Sequence, residues 1–233
     1  GIVGATIAGF LLIPQLRYEG TIQLAVTTNI VLALAASLLI IPKRIISSAA
    51  IAAILCAAVI TYQPSLPENI LRTSPFADSS AGEIRYYDVG RSATVLLLEE
   101  DGYLNLRTNG LPEAATNLRG APPYQNNQRL LSTLPILARP DIRDMLIIGF
   151  GAGVAIEDVP PSVASIDVIE LEPKVLDANR TISAERQFDP LADGRVSVFL
   201  NDARSALKLT EKRYDTIISQ PSHPWTAGAS HLY

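Results

Sequence analysis

Apolar residues are spread unevenly along this chain. Residues 1–62 are almost continuously apolar, whereas residues 63–233 mix apolar and polar positions in short runs. Ile22–Ile41 carries no charged residue and has about the 20-residue length that crosses ~30 Å of hydrocarbon. Ile45–Tyr62 is a second uncharged run and ends on a residue type favoured at the membrane interface. Gly1–Pro14 reads as the tail of an earlier span, in which Gly4, Ala5, Ala8 and Gly9 permit close helix packing. Buried core helices are the alternative, but only Pro42-Lys43-Arg44 separates the two long runs, which leaves little polar surface to face water. A signal peptide is a poorer reading still, because the apolar material repeats. The pattern predicts transmembrane helices over 1–62, at about 1–14 (partial), 22–41 and 45–62.

Residues 63–82 contain Pro64, Pro67 and Pro75, have no clear period and read as a linker. Three short runs follow at Glu83–Asp88, Ala93–Glu99 and Tyr103–Thr108, punctuated by Gly90, Gly102 and Asn109-Gly110. Asp101-Gly102 between two such runs is a strong hairpin signal. A small antiparallel β region is expected over 83–112. Asn127–Leu137 then shows helical spacing of its leucines and stops before Pro140.

Residues 113–233 repeat strand and helix. Met145–Ile148 runs into Gly149-Phe150-Gly151-Ala152-Gly153, the signature of a buried parallel strand entering a glycine turn. Position 154 is valine, so the G-x-G-x-x-G dinucleotide form is not matched. Ser165–Glu170 is a second strand ending on an acid that can accept from both hydroxyls of a ribose, and Glu172-Pro173 opens a helix. Val196–Leu200 is a third strand, followed by Asn201-Asp202-Ala203-Arg204, and Thr216–Ser219 is a fourth. This alternation implies a parallel, doubly wound sheet, whose ligands sit over the carboxyl ends of the strands. Gly149, Gly151, Gly153, Glu170, Asp202 and Gln220 all fall at those ends. Each also has a purely structural reading. The glycines can simply pack a helix on a strand, Glu170 can be a solvated strand end, and Asp202 can be a helix cap.

Charge and composition narrow the partners. The net charge is −4 and no basic cluster occurs, which argues against nucleic acid. Cys56 is the single cysteine and lies in an apolar run, so there is no disulfide framework. No metal site is apparent, since His223 and His231 are the only histidines. The chain begins at Gly1 and stops just after a motif that should feed a helix, which reads as a fragment of a longer protein. Lys43-Arg44 favours a cytoplasmic loop and would place residue 63 onward outside. A domain using a cytosolic cofactor should lie inside, and the cytoplasmic placement is preferred here.

In order, Leu104–Gly110, Leu131–Pro135, Leu146–Gly153, Val168–Glu172, Asn201–Arg204 and Tyr214–Ile218 resemble the spermidine synthase family. The ending Gln220-Pro221-Ser222-His223-Pro224-Trp225-Thr226-Ala227-Gly228 is similar to its membrane-fused bacterial branch. The resemblance covers roughly residues 83–233. It implies an α/β fold with a Rossmann-like, class I S-adenosylmethionine-binding parallel sheet, here C-terminally truncated. A small antiparallel β region and N-terminal transmembrane helices precede that sheet. It further implies a multi-pass protein of a bacterial inner membrane, embedded in the lipid bilayer, and a homodimer.

By position, the resemblance implies that Glu170 holds the ribose and that Asp202 and Ala203 flank the adenine. Gly149, Gly151 and Gly153 would pass beneath decarboxylated S-adenosylmethionine or S-adenosylmethionine. Three positions depart from the family. Gln220 stands where an aspartate assists deprotonation of the attacking amine, His223 replaces a second acid, and Asn127-Gln128 replaces a Tyr-His pair that seats the amine. An amine cation wants carboxylates nearby; His223, with a reference pKa of about 6.5, is a candidate base. Three functions follow as expectations. The first is aminopropyl transfer to a small-molecule amine. The second is methyl transfer from S-adenosylmethionine to another acceptor. The third is a membrane transporter or sensor with a non-catalytic nucleoside- or polyamine-binding domain.

Overall fold

The computed structural model describes residues 1–40, 45–62, 72, 82–122 and 127–220. The chain divides into two compact units, Gly1–Asn69 and Ile70–Tyr233.

In the first unit, α1 (Ile2–Ile7) passes through a π-helical turn, Ala8–Leu12, into α2 (Ile13–Ile40). The π turn lies just before Pro14. That residue lacks the N–H an α-helix would use there, and its ring crowds the carbonyl four residues back. Arg17 leaves helical geometry (φ 58°, ψ −175°) and kinks α2. The helix resumes directly beyond Arg17, and the Thr21 side chain spans the kink, its Oγ1 donating to the Arg17 carbonyl at 2.7 Å. The break expected between residues 14 and 22 is therefore a kink and not a loop. Ile2–Ser37 is long and apolar enough to cross a membrane, by length and composition. The run expected as a further span forms α3 (Ile45–Thr61), a helix of 17 residues. Gln23 Nε2 on α2 donates to the Tyr62 carbonyl at 3.1 Å. Pro42-Lys43-Arg44 and most of the 63–82 linker lie outside the described residues.

The second unit holds two four-stranded sheets. The first is antiparallel, in the order β1 (Glu83–Val89), β2 (Thr94–Glu100), β3 (Tyr103–Thr108) and β4 (Leu111–Asn117). Asp101 and Gly102 both take positive φ (52° and 81°) between the paired Glu100 and Tyr103, as a two-residue hairpin turn demands. Asn109 and Gly110 repeat that geometry (φ 51° and 81°) between Thr108 and Leu111. The β region thus extends beyond residue 112 through a fourth strand, which tolerates Pro112 because it is an edge.

α4 (Gln128–Ala138) leads into the second sheet, whose strands are β5 (Asp144–Ile148), β6 (Ser165–Glu170), β7 (Val196–Leu200) and β8 (Thr216–Ser219). All pair in parallel, in the order β7-β6-β5-β8. The helices between successive strands are α5 (Val154–Glu157), α6 (Pro173–Thr181) and α7 (Ala203–Leu209). α5 is a single turn, ended within a few residues by Pro160-Pro161. Val95, Leu97, Leu104 and Leu106 of the first sheet share one buried cluster with Met145, Ile147, Ile166 and Val168 of the second, so the two sheets are sealed by apolar burial.

Candidate functional site

The strand order reverses at β5. The chain winds from β5 to β6 to β7 on one side and then crosses to place β8 on the other. In open α/β sheets, ligands bind at such a reversal, above the carboxyl ends of the strands. The register sets three predicted residues at that level. Ile148 pairs with Ile169 and with Ser219, so Gly149, Glu170 and Gln220 each follow a member of one row across the sheet.

The turn after β5 needs its glycines. Gly149, Gly151 and Gly153 take φ of 87°, 55° and 72°, a region that other L-residues enter only with strain. Gly149 donates to the Ile169 carbonyl at 2.8 Å, and Gly153 to the Phe150 carbonyl at 2.8 Å. A Cβ on Gly149 would meet no described atom within 4 Å, whereas one on Gly153 would lie 2.7 Å from Pro190 Cγ. Gly153 is thus packed against protein, and Gly149 borders open space.

Glu170 is buried, and its carboxylate reaches into this turn. Oε2 accepts from the Phe150 N–H at 2.8 Å, and Oε1 from the Glu172 N–H at 2.8 Å. Burial pushes its pKa up, and the backbone N–H bonds oppose that rise. A carboxylate has about four acceptor directions, so capacity remains for a ligand hydroxyl.

Asp202 is exposed and caps α7, accepting from the Ser205 N–H at 2.8 Å. That bond holds its carboxyl below the ordinary range. Ala203 is the first residue of the same helix.

Across the reversal, Gln128 Nε2 donates to Gln220 Oε1 at 3.1 Å and to the Glu113 carbonyl at 3.1 Å. Two residues 92 positions apart therefore meet, one from the start of α4 and one after β8. This amide pair can orient a polar group but takes up no proton near neutrality. His223 lies outside the described residues. Among the described residues no group of three or more His, Cys, Asp or Glu side chains is placed to hold a metal.

Two networks were not foreseen. The first joins the sheets. Glu172, which caps α6 through the Lys174 N–H at 3.1 Å, also accepts from Ser92 N (2.9 Å), Ser92 Oγ (2.7 Å) and Ala93 N (3.3 Å). A Cβ on Gly90 would collide with this carboxylate, and Lys174 Nζ pairs with Asp88 at 2.6 Å. The Glu172-Pro173 signal marks the cap, but the contact 80 residues away has no local signature.

The second network lies under the glycine turn. Arg186 has a side chain only 1% exposed and donates to the Ala152 carbonyl (2.7 Å), Glu157 Oε1 (2.8 Å) and Asn179 Oδ1 (2.9 Å). Asn179 Nδ2 donates to the Gly151 carbonyl at 2.8 Å. An arginine between Ile182 and Phe188, both packed in or against the core, was the only sequence hint.

The spermine/spermidine synthase domain profile matches residues 125–233. The polyamine aminopropyltransferase of Clostridium perfringens (strain SM101 / Type A) is 29% identical over 97 residues, which are 41% of this chain and 34% of that protein. The polyamine aminopropyltransferase of Methanocaldococcus jannaschii is 31% identical over 91 residues, or 38% of this chain and 31% of that one. The chain thus spans about a third of the length of these curated relatives. A solved spermidine synthase in complex with the transition-state analogue AdoDATO superposes with a TM-score of 0.51. It does so at 18% identity, over 64% of this chain and 50% of that one, which is a likeness of fold.

Proposed function

We propose that this chain, whose residues 125–233 match the spermine/spermidine synthase domain profile, is part of a membrane-anchored transferase. It moves the aminopropyl group of decarboxylated S-adenosylmethionine to a small amine. The observation that carries the reading is the row formed by the Gly149–Gly153 turn, Glu170 and Gln220 along the strand-order reversal.

In this reading Glu170 accepts from the ribose hydroxyls, and the Gly149 side of the turn admits the nucleoside without Cβ interference. Asp202 and Ala203 border the adenine. The acceptor nitrogen forms a bond to the carbon beside the sulfonium, and the carbon–sulfur electron pair goes to sulfur. Methylthioadenosine leaves, and the new ammonium sheds one proton. Gln128 and Gln220 orient the amine through hydrogen bonds, while His223 is the candidate base. The Ile2–Ser37 helix supplies the anchor, and the catalytic unit faces the cytoplasm.

A second reading, methyl transfer from S-adenosylmethionine, is favoured by one observation. The Gln128–Gln220 pair places amides where an amine cation would want carboxylates. One assay separates the two. The full-length protein in detergent is incubated with decarboxylated S-adenosylmethionine and putrescine, or with S-adenosylmethionine, and products are read by mass spectrometry. Putrescine-dependent methylthioadenosine supports aminopropyl transfer, and S-adenosylhomocysteine supports the second reading. Failure of the protein to bind either donor overturns both.

A further inference from the structure

A buried guanidinium needs partners, and Arg186 spends its hydrogen bonds on an unusual set. One falls on a backbone carbonyl of the glycine turn, one on Asn179, one on Glu157 and a longer one, at 3.4 Å, on Thr116 Oγ1, while its Nε has no partner. Asn179 holds the preceding carbonyl of the same turn and, through the same amide, the Val175 carbonyl at 2.8 Å. Arg129 Nη2 binds the other oxygen of Glu157 at 2.7 Å. A buried ion pair with an orphaned donor contributes little net stability, so stability alone is a poor account of this arrangement.

Peptide geometry supplies a better one. Among the described residues no peptide bond is cis, so in this turn a carbonyl and the N–H that follows it point in opposite directions. Fixing the Gly151 carbonyl on Asn179 aims the Ala152 N–H away from the interior network. Fixing the Ala152 carbonyl on Arg186 aims the Gly153 N–H at the Phe150 carbonyl, where it donates at 2.8 Å; the Phe150 carbonyl held in this way turns the Gly151 N–H to the opposite side. The N–H groups of Gly151 and Ala152 have no acceptor among the described residues.

We propose that Arg186, acting with Asn179, is a positioning residue that fixes the two carbonyls of the glycine turn inward and so presents the Gly151 and Ala152 N–H groups to the nucleoside donor. The proposal rests on the reading that this turn holds the donor. It assigns the buried pair of Arg186 and Glu157 to preorganisation of the site, in which ordering is built into the free protein and not charged to binding.

The test uses the full-length protein in detergent. Arg186→Lys keeps a cation beside Glu157 but loses the fork that reaches both Asn179 and Ala152. The expected result is about tenfold faster hydrogen exchange at the amides of 149–153 without ligand, in a protein that stays folded at a lowered melting temperature. Affinity for decarboxylated S-adenosylmethionine should fall about tenfold, as the loss of roughly one charged hydrogen bond implies. The donor KM should rise while the amine KM stays fixed. If Arg186→Lys does not fold, Asn179→Ala frees the Gly151 carbonyl alone and is read the same way. A folded variant with wild-type exchange and wild-type affinity overturns the proposal. Wild-type protein that binds no donor overturns the functional reading instead, and the exchange comparison, which needs no ligand, still decides whether Arg186 fixes the turn.

Discussion

Glu170 Oε2 accepts the Phe150 N–H at 2.8 Å, tying the end of one strand to the glycine turn that follows its neighbour. The second oxygen accepts the Glu172 N–H. Glu170→Gln must turn its NH2 toward one of these donors, whichever way the amide faces. The expected loss of folding stability is about 1–3 kcal/mol, measured by denaturant unfolding. Donor affinity should fall with it, and an unchanged affinity in a folded variant would count against the ribose role.

Acidification tests the same carboxylate. Burial raises Glu170 above the 4.5 of an ordinary glutamate, so the folded state binds this proton more readily than the unfolded chain. Its contribution to stability therefore declines as pH rises from 4.5 toward the raised value. Ligand binding runs the other way, since ribose hydroxyls donate to the ionised form. Calorimetric titration across this window should show donor affinity falling with acid, at a midpoint above 4.5 that Glu170→Gln abolishes.

Asp202 separates capping from recognition. Asparagine caps a helix about as well as aspartate, so Asp202→Asn should leave thermal unfolding unchanged, whereas Asp202→Ala should lower it. If Asp202 also accepts from the adenine amino group, Asp202→Asn weakens donor binding while the fold is intact. Equal affinity for the two proteins would reduce Asp202 to its cap.

The glycines of the turn should not respond alike. Gly149→Ala meets open space and bears only the strain of its positive φ, about 1–2 kcal/mol. Gly153→Ala adds a collision with Pro190, for roughly 2–5 kcal/mol in all. Chemical denaturation gives both values. In the proposed site, Gly149→Ala loses donor binding out of proportion to its stability.

Gln220→Asp restores a carboxylate beside Gln128. For an aminopropyl transfer, putrescine-dependent methylthioadenosine formation should rise at least several-fold and gain a pH dependence from the new acid. No gain with putrescine would move the acceptor away from a diamine.

The parallel sheet was legible because its strands are short apolar runs that each stop at a turn or a capping residue, as at Ile148-Gly149 and Leu200-Asn201-Asp202. β4 was not legible. Leu111-Pro112-Glu113-Ala114-Ala115 has weak strand propensity, and the tight Asn109-Gly110 turn forces it alongside β3. Helix α4 was expected over 127–137 and forms over Gln128–Ala138, despite Pro135. The positions of Glu170 and Asp202 followed from strand ends, but their hydrogen bonds did not. Arg186, and the hold of Glu172 on the Ser92 loop, have no signature in the sequence because their partners are set by long-range packing, to which periodicity is blind.

Leu171 separates two acids with different duties. Glu170 grips the glycine turn, and Glu172, whose own N–H binds Glu170, grips the Ser92 loop of the antiparallel sheet. A ligand that tightens on the first acid therefore bears on the seam held by the second, and by thermodynamic reciprocity a firmer seam favours the ligand. In the proposed reading, the grip on the donor could be retuned from a surface loop eighty residues upstream, without touching the pocket.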